Sequence, residues 1–279
     1  MRMLVLHQTV DESRADEADT LIQAEEITAH LRALGHQAAR AHAASLGEME
    51  ALLRREKPEA VFNLVESLGG ADRFAYLAAG LLETMQIPFT GNSARALLLA
   101  SDKLTLKALL QAKGTACPHG LEAGETTRYI VKSVSEHASF GLDAHSVVSG
   151  AKAARQLIAA KTTQHGGEWL AEEYIEGREF NLALLETDRG MLLLPPAETV
   201  FEEFPEGAPH IVDYAAKWDE SSHAYHHTPR RFGHPAESLQ PLTQRVWDAL
   251  ALRGYARVDI RMDAAGKCWV IDVNPNPCL

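Results

Sequence analysis

The sequence predicts a mixed architecture: a parallel α/β layer first, then α+β regions built on mostly antiparallel sheet. Three observations point there. The chain has 279 residues, which favours about two domains at ~150 residues each. Over its first part, short apolar runs alternate with amphipathic segments, as strand–helix units of one parallel sheet do. From RYIVKSV onward, strand candidates follow one another through loops, with few helical patterns between them.

Each element has its own signal. Residues 3–6 (MLVL) form a short apolar run ended by a polar loop, a buried strand. In residues 19–34, Leu21, Ile22, Ile27, Leu31 and Leu34 recur at helical spacing, and Gly35 stops the helix. Another helix fits 46–56. PEAVFNLVES is a strand opened by Pro58, 73–86 is a further helix, and IPFTGNS turns the chain. SDKLTLKALLQAKG is a helix with Ser101 as N-cap and Gly114 as its stop. RYIVKSV, WLAEEYI, EFNLALLE, GMLLLP and AETVFE are strands, with a helix near 151–160 and a longer one at about 237–253. HHTPRRF reads as an irregular loop. The alternating strand–helix part, a first domain, closes at about residue 90.

Composition narrows the function. A net charge of −11 makes a poor general binder of nucleic acid or of an anionic membrane. Three cysteines, Cys117, Cys268 and Cys278, form neither a disulfide framework nor a zinc site, and suit a reducing cytoplasm. The N-terminus turns acidic at once and is no signal peptide. No run approaches membrane-spanning length.

YARVDIRM places Tyr255, Arg257, Asp259 and Arg261 on one strand face and Ala256, Val258, Ile260 and Met262 on the other. In CWVIDVN, Trp269, Ile271 and Val273 form the apolar face, and Val270, Asp272 and Asn274 the opposite one. If Met262 and Lys267 close the intervening loop, Asp259 and Asp272 become diagonal neighbours. Carboxylates about 5 Å apart repel by a few kcal/mol at an effective dielectric of about 20. A divalent cation removes that repulsion, and carboxylate and amide oxygens are what Mg²⁺ prefers. A solvated strand face of alternating charge is the alternative.

Lys132 ends the apolar run YIVK, where a lysine needs an anionic partner. SEHASFGLD, with Gly141, suits a backbone-lined phosphate cover. Lys103 in a first helical turn opposes the helix dipole unless an anion sits nearby. Glu179 opens the apolar strand FNLALL after a turn at Gly177 and calls for a donor such as a ribose hydroxyl. Neither a dinucleotide fingerprint nor a P-loop is present. Taken singly, each of these residues reads as an ordinary surface group.

In order, GLLETMQIPFTGNS, SDKLTLKALLQAKGTACP, YIVKSVSEHASFGLD, AEEYIEGREF, DYAAKW and YARVDIRMDAAGKCWVIDVNPNP resemble the ATP-grasp superfamily, specifically the D-alanine–D-alanine ligases. The resemblance runs from about residue 60 to the end. It implies an ATP-grasp fold with a parallel α/β domain at 1–94, a small ATP-grasp subdomain at 95–165 and a large one at 166–279. It implies an ATP-dependent carboxylate–amine ligase working through an acyl phosphate. Lys103 and Lys132 would hold ATP phosphates, joined by Ser139 of the central loop. Glu172, Glu173 and Ile175 would line the adenine hinge, and Glu179 would bind ribose. Lys217 would reach the phosphates, and Arg257 would stabilise the transferring phosphoryl group. Asp259, Asp272 and Asn274 would hold Mg²⁺, usually two ions in the family, with Mn²⁺ as a substitute. The implied partners are small carboxylate and amine substrates, amino acids in kind, and the resemblance admits a homodimer.

The amino-acid half departs from the family. HQTVDESRAD replaces an early glycine-rich segment, and Glu66 stands where a Leu-His-Gly element has its histidine. Ala138-Ser139 replaces a serine pair, Trp218 a tyrosine and Cys278 a glycine. These departures keep open a ligase for another amino acid or small acid, or a catalytically weak ATP-binding regulatory module. The chain stops at Leu279, where the family's pattern runs on to an acceptor-binding element. The expectation is a third domain that ends early, a pocket open at the acceptor side, and little D-alanyl-D-alanine formed.

Overall fold

Val5 and Leu6 are fully buried in the central strand of a three-stranded parallel sheet. The computed structural model describes residues 1–233 and 236–278; the expected stopping point, Leu279, lies outside them. The order of this sheet is β2-β1-β3, with β1 at Arg2–Gln8, β2 at Gln37–Ala43 and β3 at Ala60–Asn63. β2 (QAARAHA) carries no long apolar alternation, so only its pairing to β1 reveals it. Helices α1 (Ala15–Ala33), α2 (Leu46–Glu56) and α3 (Ala75–Thr84) complete the layer. α1 starts four residues before the helix expected at 19–34. Leu4, Leu6, Met49, Leu53, Val61 and Leu82 share one core.

The helix expected with Ser101 as its cap is two helices, α4 (Ala94–Ser101) and α5 (Lys103–Ala112). Asp102 is extended, with its side chain accepting from the Thr105 N–H at 2.7 Å, so Asp102 is the N-cap of α5. Ser101 closes α4, donating to the Leu98 carbonyl. Gly114, at φ +75°, follows the end of α5 as expected.

A second sheet, β5-β4-β6, joins β4 (Arg128–Ser133), β5 (Val147–Ser149) and β6 (Trp169–Glu173) in antiparallel pairs, backed by α6 (Ala151–His165). The third runs β10-β9-β7-β11-β12, with β8 on the side of β7. Its strands are β7 (Arg178–Thr187), β8 (Gly190–Leu193), β9 (Ala197–Thr199), β10 (Arg230–Phe232), β11 (Tyr255–Met262) and β12 (Cys268–Asn274). Short helices α7 (Tyr214–Trp218) and α8 (His223–His226) precede β10, and α9 (Gln240–Leu250) packs under the sheet. HHTPRRF is therefore not wholly irregular. Its last residues form edge strand β10, polar and without apolar alternation, where Arg231 pairs with Glu202.

Packing crosses the expected boundaries. Ala96, Leu106 and Leu110 of α4 and α5 lie in one core with Phe180, Leu182, Val258 and Ile260 of the large sheet. β6 belongs with β4 although it follows residue 165. Asn92 ties the first layer to the large sheet: its amide donates to the Tyr255 and Pro275 carbonyls at 2.7 and 2.8 Å, and its oxygen accepts the Arg253 N–H at 2.8 Å. No described helix is long and apolar enough to cross a membrane.

Candidate active site

The hairpin of β11 and β12 sets the geometry. Met262 pairs with Cys268, one residue beyond the expected Lys267. The Asp263 side chain holds the longer turn, accepting the Ala265 and Lys267 N–H groups at 3.0 Å. A bulge then leaves Ile271 unpaired. After it Asp259 stands directly opposite Asp272, and Arg257 opposite Asn274. The expected diagonal is thus direct opposition, because the turn and the bulge each add one residue.

The bulge also breaks the alternation in β12. Val270 and Val273 enter the core, whereas Ile271, Asp272 and Asn274 face a cavity. The expected apolar face of Trp269, Ile271 and Val273 is corrected accordingly. On β11, Ala256, Val258 and Ile260 are buried in the core as the pattern predicts. Arg257 grips Asp259 in a fork, at 2.8 Å to Oδ1 and 3.0 Å to Oδ2. Asn181 and Asn274 also donate to Asp259, at 2.7 and 3.1 Å.

The lysines converge from other elements. Lys103 opens α5, almost fully buried, with Nζ 2.8 Å from the Glu136 carbonyl. Lys132 on β4 donates to Glu172 Oε1 at 2.8 Å and to the Ile271 carbonyl at 3.0 Å. Lys107 reaches the other oxygen of Glu172 at 2.6 Å and the same carbonyl at 3.3 Å. Freed from strand pairing, the bulge carbonyl serves two ammonium groups.

Charge here is balanced in pieces. Burial works against ionisation of Asp272, yet Lys103, Lys132 and His137 hold its carboxyl down to about 2. Repulsion between the two aspartates is therefore already offset by cations. Burial likewise disfavours the charged Glu172, but Lys107 and Lys132 keep its carboxyl below its ordinary range. Burial lowers Lys107, whereas Lys132, facing Glu172 and Asp272 together, is raised despite its burial. Burial, then the neighbouring Arg257, lowers Lys217.

Two loops meet over the cavity. Ala138 and Ser139 both adopt positive φ, 56° and 61°, a strained conformation for residues with side chains. Contacts from the facing segment hold it. Ser139 donates to the Val212 carbonyl at 2.8 Å, and Trp218 Nε1 to the Ala138 carbonyl at 3.3 Å. α7 brings Lys217 to the same opening. From the first layer, Asp72 accepts the His137 N–H at 3.0 Å.

The cavity has a volume of about 730 Å³, and every site residue expected from the sequence lines it. Lys103, Lys132, Ser139 and Lys217 line it together with Glu173, Ile175 and Glu179, and Glu172 lies between its two lysines. Arg257, Asp259, Asp272 and Asn274 line it from the β11–β12 hairpin. Gln8, Glu17, Asp19, Glu66 and Cys278 are also in its wall. Desolvation and then Asp19, which accepts the Cys278 thiol at 2.8 Å, push that thiol up to about 12.

Asp259, Asp272 and the Asn274 side-chain oxygen offer hard donors on adjacent strands, which suits Mg²⁺. Among the described residues no three carboxylate, imidazole or thiol groups make a ready metal cage.

Lys107 and Arg261 went unassigned in the sequence. Lys107 lies four residues after Lys103, on the same helical face. Arg261 lies two after Asp259, on the same strand face. Asn181 and His137 gave no pattern signal at all.

Comparison with known proteins follows the same lines. Residues 112–279 match the family model described as D-ala D-ala ligase C-terminus. The D-alanine–D-alanine ligase of Pseudomonas putida (strain GB-1) is 30% identical over 244 residues, 82% of this chain and 70% of that protein. The crystal structure of D-alanine–D-alanine ligase from Bacillus anthracis superposes with a TM-score of 0.74 at 21% identity, covering 99% of this chain and 87% of that one. Its complex with ATP gives 0.72 at 18% identity with the same coverage.

Proposed function

Because the chain belongs to the D-alanine–D-alanine ligase family, we propose that it is an ATP-dependent ligase that joins a small carboxylate to an amine through an acyl phosphate. The observation that carries this reading is the convergence of Lys103, Lys132, Lys217 and Arg257 on the aspartate pair from separate elements, inside one cavity. The parts expected at 1–94, 95–165 and 166–279 all contribute to that cavity.

ATP, when bound, supplies the phosphoryl group that activates the carboxylate, and Mg²⁺ neutralises its phosphate oxygens. The chain's own residues do the positioning. Lys103 and Lys132 bind phosphate oxygens, and the fixed partners of Lys132 aim it before the nucleotide arrives. Glu173 and Ile175 border the adenine, and Glu179 takes the ribose. Asp259, Asp272 and Asn274 would hold the metal, two ions in this reading. For Asp259 this means loosening the fork of Arg257, which frees that guanidinium for charge developing on the transferred group. Lys217 and Ser139 close over the site and exclude water. Three free thiols suit a cytoplasmic protein.

Relatives named D-alanine–D-alanine ligase make two D-alanines the first pair to test. Glu66 and Cys278 line the amino-acid end, and these departures favour testing other amino acids and small acids beside it. The experiment is an ADP-release screen over D- and L-amino acids, singly and in pairs, with mass spectrometry of the products. ADP release that requires both an acid and an amine, with a product of their summed mass less water, supports the ligase. Nucleotide binding without turnover across the panel would make the chain a regulatory binding module instead.

A further inference from the structure

Arg261 is 4% exposed in the wall of the cavity, and nothing in the ligase reading uses it. A buried guanidinium is unfavourable unless it is fully paired, and an apolar residue of similar size usually serves packing better. Arg261 is paired on three sides. Directly opposite it in the β7–β11 register stands Glu179, whose Oε2 accepts from Nη2 at 2.6 Å. Nη1 donates to the Ile175 carbonyl at 3.3 Å, and Nη2 also donates to the His210 carbonyl. The guanidinium carbon lies 5.4 Å from the Tyr174 ring centre and 5.7 Å from that of Phe201. Arg261 thus joins β7, the segment after β6 and the loop before α7.

We propose that Arg261 is a positioning residue for nucleotide selection: it locks one oxygen of Glu179 and thereby presents the other to a ribose hydroxyl. The proposal rests on the ribose role of Glu179. A surface glutamate swings among rotamers and discriminates weakly. A glutamate held in one rotamer keeps its hydrogen bond to a hydroxyl aligned and leaves an unmet acceptor when that hydroxyl is missing. Selection for ATP over 2′-deoxy-ATP would then depend on Arg261 through its hold on Glu179.

The test is calorimetric titration of the full chain with ATP and with 2′-deoxy-ATP, needing no knowledge of the amino-acid substrates. The wild type is expected to prefer ATP by about tenfold or more. In Arg261→Met the preference falls to within about threefold, while Arg261→Lys keeps part of it. Glu179→Gln separates the two layers. If its ratio collapses while that of Arg261→Met is unchanged, Arg261 is only a structural tie and the proposal is overturned. An unchanged ratio in Glu179→Gln overturns the ribose assignment beneath it. Should Arg261→Met fail to fold, the Arg261→Lys ratio decides: a wild-type ratio with weaker binding of both nucleotides is evidence against the lock.

Discussion

Lys132 Nζ lies 2.8 Å from Glu172 Oε1, and both side chains are almost closed to solvent. Lys107 occupies the other oxygen at 2.6 Å. One carboxylate from β6 therefore serves two buried cations from β4 and α5. Nucleotide-site preorganisation and fold stability share this cluster, so substitutions in it report on both.

Glu172→Gln leaves two buried ammonium groups without their anion. Breaking a buried pair by removing one partner destabilises by about 3–5 kcal/mol. Lys107→Met is expected to lose less than half as much, since Glu172 keeps Lys132. Urea unfolding of both variants checks the order. Equal losses would mean that Lys107 contributes as much as the whole cluster, contrary to this account.

Lys132→Ala and Lys103→Ala should each weaken ATP binding by about tenfold or more, the scale of one charged hydrogen bond. Titration calorimetry reads this directly. Lys132 is the more sensitive of the two, because a carboxylate, Glu172, fixes it along with the Ile271 carbonyl, whereas Lys103 is held by backbone carbonyls alone. Wild-type affinity in both variants would remove phosphate from these two lysines.

Much of this was legible in the sequence. Strong periodicity gave α2, β1, β4, β7 and β11 in place. It missed β2 and β10, whose polar or alanine-rich residues gain their conformation only from a neighbouring strand. Asp102 hid a helix break inside a continuous helical pattern. The cavity residues were legible because each sat in a motif of fixed order. The bulge at Ile271 was not, since alternation of apolar residues cannot show where a strand gains one. Arg261 and Lys107 carried the correct spacing, yet their acidic partners lie 82 and 65 residues away in the chain.

Asp272 gives stability a defined acid limb. Its folded carboxyl titrates at about 2, against an ordinary value of 3.8. A depressed value means the stabilisation is fully present above pH ~4 and disappears as pH falls toward ~2. The size is about 2 kcal/mol at ~1.4 kcal/mol per pKa unit. Asp272→Asn should flatten that limb and lower the neutral-pH melting temperature, because Lys103 and Lys132 lose an anion. Mg²⁺-dependent turnover should fall much further than stability does. An unchanged acid limb in the variant would show that Asp272 is not the group held down by those lysines.

Gly177 marks where β7 meets the hairpin. Its φ is +145°, and a Cβ there would sit 2.1 Å from the Met262 carbonyl oxygen. Both sides of that contact are backbone, so no side chain can swing away. Either the start of β7 or the end of β11 must move. Those ends carry Glu179 and Arg261, two residues and one residue from the clash. Gly177→Ala should therefore destabilise by about 3 kcal/mol or more, the range of strain at a special backbone position. Gly47 is the matched control. It lies in the first turn of α2 with open space around its ideal Cβ and no positive φ. Gly47→Ala should stabilise by up to about 1 kcal/mol through helix propensity and a less flexible unfolded chain. Thermal melts of the two variants should thus move in opposite directions, and only Gly177→Ala should weaken ATP binding. A Gly177→Ala protein with wild-type melting and wild-type ATP affinity would show that the β7–β11 approach is looser than 2.1 Å allows.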